Sequence, residues 1–181
     1  MGAGRTTGKG EYSMVLPWLM AAADPADKWW KRLRRNPKRS GEISQAAFLA
    51  KAWSLGFGVA LPWGDSERYD FIVWAKDSRM FRVQVKATGR LHRRGYEVQA
   101  VHSTRGQGKK RYTPGEIDVL AAHVQPLDVW YLLPICAVGQ AKSLRFYPDI
   151  RCRKPHWEQY REAWDLLRGV CPCVEDEAAG R

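Results

Sequence analysis

Apolar and polar positions fall into a helical pattern once the chain reaches Ser40. Ser40 is a suitable N-cap and Gly56 a suitable stop, so we expect a helix over residues 40–55. Glu42 stands one turn before the apolar stripe, so we expect its carboxylate to point into the body of the protein or to complement the positive end of the helix. The stripe, at spacing i, i+3 and i+7, consists of Ala46, Leu49 and Trp53.

Segments of alternating or continuous apolar character follow this helix and predict strands. Residues 69–75 and 80–87 are separated by a four-residue turn, which predicts an antiparallel hairpin. Residues 95–101 alternate again and are expected to add a third antiparallel strand. The glycine- and lysine-rich stretch 104–111 is expected to be a loop. Further strands are expected at 57–61, 128–134 and 143–147.

Two more helices are expected in the second half of the chain. Thr113 and Glu116 have the spacing of a capping box, with Pro114 at the first helical position, and they predict a helix that ends at His123. An amphipathic pattern over residues 155–168 predicts the other.

These elements predict an α/β (α+β) fold in which helices flank a mixed β-sheet. We expect this domain to span residues 40–170, because regular patterning is confined to that region. Residues 1–39 are expected to form a basic, flexible arm, and residues 171–181 an acidic tail.

Composition limits the class of protein. The chain has 181 residues, which is about one domain, and 45% of them are hydrophobic, which excludes wholesale disorder. No apolar run approaches the ~18–20 residues that a membrane span requires. The net charge is +11, and a charge of that size favours a polyanionic partner such as a nucleic acid.

The cysteines indicate an intracellular protein. The N-terminus lacks the apolar core of a secretory signal, so a cytoplasmic protein with reduced thiols is expected. A zinc site formed by Cys152, Cys171, Cys173 and His156 is the alternative, although the spacing fits no standard ligand pattern. The four cysteines are Cys136, Cys152, Cys171 and Cys173.

Polar residues on the predicted hairpin carry the most specific chemistry. Gln84 and Lys86 are two positions apart on one strand and therefore project to the same face. Asp70, at the head of the neighbouring strand, can face them, and Glu42 can reach them from the preceding helix. Oxygen ligands grouped in this way suit Mg²⁺, and a nearby lysine can stabilise negative charge that develops on a phosphate.

These residues resemble the signature of the PD-(D/E)XK nuclease superfamily. The segment GEISQAAFLAKAWSLGFGVALPWGDSERYDFIVWAKDSRMFRVQVKATG is similar to the branch of homing endonucleases encoded by group I introns. The combination of RYD, a short hairpin and VQVK is the specific part of the match. The resemblance extends from about Gly41 to Pro134, somewhat over half the chain.

The resemblance implies a nuclease that hydrolyses DNA phosphodiesters with Mg²⁺ (or Mn²⁺), leaving 5′-phosphate and 3′-hydroxyl ends. It implies that Asp70, Gln84 and the Val85 carbonyl are direct metal ligands. It further implies that Glu42 holds a water of the metal's hydration shell and that Lys86 positions the nucleophile.

The match departs from the superfamily pattern at two positions. Tyr69 stands where the superfamily pattern has proline, a common replacement. Gln84 stands where it has an acidic residue, as in the branch that the chain resembles. The change removes one negative charge and is expected to weaken metal binding or to reduce the number of ions held.

A second basic block follows the hairpin and is expected to lie along DNA. Residues 82–111 contain nine Lys and Arg and one acidic residue. Most are expected to contact phosphates and a few to contact bases, because a β-ribbon or its loop can enter the major groove. The predicted DNA-binding residues are Arg90, Arg93, Arg94, Gln99, Arg105, Gln107, Lys109, Lys110 and Arg111.

Three functions remain open at this point. The first is a site-specific, homing-type endonuclease that cuts double-stranded DNA as a homo-oligomer, either a dimer or a dimer of dimers, with one active site for each strand. The second is a Holliday junction resolvase of the same fold. The third is a DNA-binding protein that has lost catalysis, with Gln84 as the suspect residue.

Overall fold

The computed structural model describes residues 36–64, 66–76, 79–92, 94–104, 106, 108–149, 152–153 and 155–169. Most of the expected basic arm and all of the expected acidic tail lie outside these residues. The helices are α1 (Pro37–Ser54) and α2 (Ile135–Val138). The strands are β1 (Gly58–Ala60), β2 (Phe71–Trp74), β3 (Phe81–Thr88), β4 (Leu91–His92), β5 (Gly95–Gln99), β6 (Val101–Thr104), β7 (Gly108–Arg111), β8 (Val119–Val124), β9 (Val129–Pro134) and β10 (Ser143–Phe146).

The N-cap of helix α1 lies four residues earlier than the sequence pattern predicts. Asn36 is the N-cap: its side chain accepts a hydrogen bond from the Arg39 backbone N–H at 3.1 Å, and Pro37 occupies the first helical position. Ser40 is therefore already inside the helix. Its hydroxyl instead bonds Gln125 across the fold at 2.9 Å, so the prediction of a Ser40 cap is wrong.

The buried stripe of α1 also differs from the expected one. The residues that face the core are Ser44, Phe48 and Ala52, at spacing i, i+4 and i+8. Trp53 is 64% exposed. The expected stripe and the observed stripe are neighbours on the helix surface, so apolar spacing alone did not distinguish them.

A five-stranded mixed sheet with the order β1–β2–β3–β8–β9 forms the centre of the fold. The β2–β3 hairpin is antiparallel, as predicted, whereas β3 and β8 run parallel. Helix α1 covers one face of the sheet, and its Phe48 joins Phe71, Val83 and Trp130 in one core. The sheet and helices confirm the predicted fold class.

Strand β8 occupies a segment for which the sequence predicts a helix. The Thr113–Glu116 capping box does form, with the Glu116 carboxylate accepting the Thr113 backbone N–H at 2.9 Å, but it closes only a turn. Ala121 then faces the core beneath α1, and Leu120 and Ala122 face a second core on the opposite side of the sheet. Burial on both faces with a period of two requires a strand, which overrides the helical propensity of Leu and Ala.

Strand β5 does not extend the hairpin, contrary to expectation. It pairs with β4 and β10 in a separate three-stranded sheet, because β8 already occupies the free edge of β3. The expected loop at 104–111 is also more ordered than predicted. Strands β6 and β7 pair there as an antiparallel ribbon, from the Val101–Arg111 pair to the Thr104–Gly108 pair.

The C-terminal segment forms two 3₁₀ turns, Glu158–Tyr160 and Trp164–Leu167, instead of the predicted amphipathic helix. Glu162, with a positive φ of 49°, separates them. Its carboxylate accepts the Trp130 backbone N–H at 2.8 Å, and its own N–H bonds the Trp130 carbonyl. Pairing with the edge of β9 replaces the helix's internal hydrogen bonds.

Most of the large aromatic side chains between Trp130 and Trp164 belong to the cores. Trp130, Tyr131 and Trp164 are all buried. Trp157 is partly buried and packs against the second core.

Cysteine chemistry differs between two positions. Cys152 is a free thiol, whereas Cys136 is disulfide-bonded. The expectation of reduced thiols is therefore wrong for Cys136. None of the helices in the described part of the chain is long and apolar enough to cross a membrane.

Candidate functional site

Asp70 lies directly before β2, where the hairpin holds it against β3. Its backbone N–H bonds the Val83 carbonyl at 2.9 Å. Its Oδ2 accepts the Val85 backbone N–H at 2.8 Å. The backbone of β3 therefore fixes the carboxylate at the start of β2, beside Val85, which is where the sequence places it.

Three polar groups converge at the start of β2. The Gln84 side-chain nitrogen donates to Asp70 Oδ2 at 2.5 Å and to the Val85 carbonyl oxygen at 3.0 Å. The positively polarised amide nitrogen of Gln84 thus lies between the Asp70 carboxylate and the Val85 carbonyl oxygen. The structure brings together the three groups that the sequence analysis names as metal ligands.

Lys86 projects from the same face of β3 as Gln84 and is partly buried. Burial lowers the pKa of the Lys86 ammonium, and the nearby Asp70 carboxylate opposes this shift. Burial likewise raises the pKa of Asp70, against the stabilising effects of the Val85 N–H and Lys86. Each group thus favours the charged form of the other in a setting that disfavours both charges.

Glu42 lies on the exposed surface of α1. The expectation that its carboxylate points into the body of the protein is therefore wrong. Its position is nevertheless close to the site: Glu42 and Asp70 line one open groove of about 480 Å³. The stripe of α1 that enters the core is rotated away from Glu42, which explains the exposure.

Gln45 is a site residue that the sequence analysis missed. It follows Glu42 by three residues on α1, lines the same groove, and forms a side-chain hydrogen bond with Asp70. The available signal was the spacing, because residues i and i+3 share a helix face.

Tyr112, immediately after β7, is a second missed residue. Its ring lies 5.1 Å from the Lys86 Nζ atom, within the range of a cation–π contact. Tyr112 is distant from the hairpin in the sequence, so no local pattern indicated this contact.

The predicted DNA-binding residues lie on exposed strands and turns wherever the structure describes them. Strand β7 carries three exposed basic residues, Lys109, Lys110 and Arg111. Arg90, Arg94 and Gln99 are exposed as well. Arg93, Arg105 and Gln107 lie outside the described residues.

A basic groove of about 590 Å³ runs beside β7. The three basic residues of β7 form one side, and Gln140 and Lys142, from the turn after α2, form the other. Among the residues that the structure describes, no acidic side chain lines this groove. Lys142 was not predicted, because it lies thirty residues beyond the basic block.

Comparison with known proteins decides the family. The family model described as PD-(D/E)XK endonuclease matches residues 35–167. The chain belongs to the PD-(D/E)XK endonuclease family. Among solved structures it is similar to that of the bacterial homing endonuclease I-Ssp6803I, with a TM-score of 0.63 and 27% identity, over 80% of this chain and 97% of that one. None of the curated proteins compared with the chain matches it significantly.

The donor set of this PD-(D/E)XK endonuclease fits a hard cation that keeps most of its waters. Asp70 Oδ2 and the Val85 carbonyl oxygen both accept hydrogen bonds from the side-chain nitrogen of Gln84. If the Gln84 amide were rotated so that its nitrogen and oxygen changed places, its oxygen would point to the same position. In the described part of the chain no group of three or more His, Cys, Asp and Glu residues could hold a metal ion. The donors that converge here are oxygens, which hard cations such as Mg²⁺ prefer, whereas Zn²⁺ prefers nitrogen and sulfur ligands.

A Ser–His–Asp arrangement elsewhere in this endonuclease, buried at Ser44 and His123 but exposed at Asp128, is structural. His123 contacts the Ser44 hydroxyl through Nδ1 and Asp128 through Nε2, both at 2.9 Å. The order resembles a nucleophilic triad. Ser44 is fully buried, however, and its oxygen also accepts a hydrogen bond from Gln125 at 3.0 Å. The network joins α1 to the end of β8, and a substrate does not reach it.

Proposed function

We propose that this protein is a Mg²⁺-dependent (or Mn²⁺-dependent) homing-type endonuclease that cuts double-stranded DNA at a specific site, leaving 5′-phosphate and 3′-hydroxyl ends. The observation that carries the proposal is the convergence of the Asp70 carboxylate, the Val85 carbonyl and the Gln84 amide beside Lys86. Family membership and the likeness to a homing endonuclease support it.

Asp70, Gln84 and the Val85 carbonyl are the proposed ligands of the divalent ion. A bound Mg²⁺ would polarise the scissile phosphate and make a nearby water easier to deprotonate. The Val85 N–H holds Asp70 Oδ2 in place at 2.8 Å. The carboxylate is therefore oriented before an ion arrives, which lowers the cost of binding.

Lys86 and Glu42 have separate proposed roles. Lys86 is held beside Asp70 with a partly buried ammonium, so it can orient the attacking water and stabilise charge on the phosphate. Glu42 is exposed in the groove that contains Asp70, where it can hydrogen-bond water and accept a proton. Gln45, bonded to Asp70, holds the carboxylate from the side of α1.

The exposed basic surfaces are the proposed contacts to DNA. Strand β7 carries three consecutive basic residues on a two-stranded ribbon, which is an element that fits the major groove. The basic groove beside it adds Lys142 from a different part of the chain. These charges are suited to phosphates on both sides of a duplex segment.

Cutting both strands of a duplex requires two active sites, so we propose that the protein acts as a dimer or a dimer of dimers. Light scattering of the purified full chain, alone and with target DNA, measures the number of copies. A protein that cuts both strands while remaining monomeric on DNA would contradict this part of the proposal.

Cleavage of plasmid DNA carrying a library of candidate sites tests the function directly. Wild type, Lys86→Ala and Lys76→Ala are compared with Mg²⁺ and with EDTA. Lys76 is an exposed control at the end of β2 opposite Asp70. We expect discrete linear products from the wild type and the control in Mg²⁺ only, and none from Lys86→Ala.

Two other results distinguish the alternatives. Tight DNA binding with no cutting in Mg²⁺ or Mn²⁺ would indicate a scaffold without catalysis. Cutting of four-way junctions in preference to every linear site would indicate a junction resolvase.

A further inference from the structure

The Tyr112 ring lies next to the ammonium group of Lys86. Lys86 is essential for catalysis under the proposed function. The Tyr112 side chain is 6% exposed, and its ring centre lies 5.1 Å from the Lys86 ammonium nitrogen. A cation at that distance from an aromatic face is attracted by the ring's negative potential. The ring therefore restricts where a long, flexible lysine side chain can place its charge.

The ring itself is held from the other side. His102, on β6, packs against it with ring centres 5.0 Å apart. The Nε2 atom of His102 lies 3.4 Å from Glu116, whose carboxylate also accepts the Thr113 N–H and hydroxyl. Tyr112 is thus fixed between the base of the β6–β7 ribbon and the turn that leads into β8.

The Tyr112 hydroxyl is not suited to proton transfer near neutral pH. Burial and the negative charge of Asp70 both raise its pKa, so the phenol stays neutral. What the side chain offers to Lys86 is the aromatic face.

We propose that Tyr112 is a positioning residue whose ring holds the Lys86 ammonium toward Asp70 and the scissile phosphate. Tyr112 directly follows Arg111, the last residue of β7. The same segment therefore carries the proposed DNA contacts and the ring that orients the lysine. The inference rests on the proposed function.

Cleavage kinetics of the full-length protein test this role. Tyr112→Phe keeps the ring, and Tyr112→Met replaces it with a flexible apolar side chain. We expect Tyr112→Phe to keep kcat within about twofold of the wild type and Tyr112→Met to lower kcat by about tenfold, with KM for DNA unchanged in both. A role limited to folding would not produce this separation of kcat from KM with recovery by phenylalanine.

A second buried aromatic residue provides the matched control. Phe146 belongs to the same core as Tyr112 but stacks on Tyr131 and not on Lys86. Phe146→Leu should lower the melting temperature while leaving kcat of the folded protein near the wild-type value. If Tyr112→Met does not fold, Tyr112→Leu and His102→Ala replace it, and we expect the same selective loss of kcat.

The outcomes separate this inference from the proposed function. A wild type that cuts with Mg²⁺ while Tyr112→Met retains full kcat would overturn the inference alone. An equal loss in Tyr112→Phe and Tyr112→Met would also overturn it, because the ring would then not be the active feature. A wild type that cuts no DNA would overturn the proposed function, and this inference with it.

Discussion

The Gln84 side-chain nitrogen lies 2.5 Å from Asp70 Oδ2, the oxygen that also accepts the Val85 N–H. A neutral amide thus occupies the place at which the superfamily pattern has a second acidic residue. Asp70 is thus the one carboxylate among the proposed direct ligands, and the other two, the Gln84 amide and the Val85 carbonyl, are neutral. Its affinity for a divalent ion should therefore be limited by charge and not by the arrangement of ligands.

Gln84→Glu should restore the missing charge. We expect the Mg²⁺ concentration at half-maximal cleavage to fall several-fold, because a second carboxylate beside Asp70 attracts the cation. Cleavage measured across a Mg²⁺ titration checks this. Gln159→Glu, at an exposed position of the Glu158–Tyr160 turn, is the control and should leave the titration midpoint unchanged. A midpoint that rises in Gln84→Glu would mean that Gln84 does not face the ion.

Asp70→Asn and Lys86→Ala should abolish cutting while most DNA affinity remains. Both side chains belong to the β2–β3 hairpin, and neither is one of the basic residues of β7 that are proposed to contact DNA. The expected rate loss is at least about 10²-fold, typical of removing a group that acts in proton transfer or charge stabilisation. Binding to labelled target DNA in EDTA, together with circular dichroism, gives affinity and folding. A large loss of affinity in both variants would contradict the assigned roles.

The double variant Lys109→Ala/Lys110→Ala should reduce the salt dependence of DNA binding. Each lost phosphate contact lowers the slope of log K against log salt by about 0.9, so a decrease of about two is expected. Lys51→Ala/Lys76→Ala removes the same charge from the last turn of α1 and the far end of β2. An equal decrease in that control would indicate a general charge effect and not a ribbon contact.

Asp118→Asn should destabilise the fold at neutral pH. Burial alone would raise the pKa of Asp118, but hydrogen bonds from the Arg82 side chain and backbone, with the charge of Arg79, hold the pKa below its ordinary value of 3.8. The ionised Asp118 carboxylate therefore stabilises the fold at pH values above 3.8. This stabilisation is lost as the pH falls through the lower pKa that Asp118 has in the folded protein. We expect a loss of about 1–3 kcal/mol in the free energy of unfolding at pH 7.

Urea unfolding at several pH values measures this contribution. The difference between wild type and Asp118→Asn should shrink as the pH is lowered below the ordinary aspartate pKa. Asp165→Asn is the control, since its ion pair with Arg168 is exposed and should contribute little. A difference that stays constant with pH would show that the Asp118 charge is not the stabilising feature.

Ser44→Ala should destabilise the protein without affecting the chemistry. It removes the hydroxyl that bonds His123 at 2.9 Å and Gln125 at 3.0 Å in the interior, at a cost of about 1–2 kcal/mol. Thermal unfolding and cleavage by the folded protein are measured together, with the exposed Ser54→Ala as control. Loss of cleavage out of proportion to loss of stability would assign Ser44 a role in the reaction.

Local patterns in the sequence were sufficient for the hairpin and the central part of the site. The alternation around Gln84 and Lys86, with Asp70 at the head of the adjoining strand, determined which groups would meet, because β2 and β3 are joined by a short turn. Gly56 was also identified correctly, since the chain takes a positive φ of 83° there.

Long-range pairing decided what the sequence alone did not. The segment Val119–Val124 is a strand because parallel pairing with β3 buries both of its faces, and the segment after Pro155 is not a helix because Glu162 bonds the edge of β9. Gln45 and Tyr112 join the site for the same reason: each reaches Asp70 or Lys86 from an element remote in sequence. A local pattern records which face of an element is apolar, whereas the tertiary structure determines which neighbour covers that face.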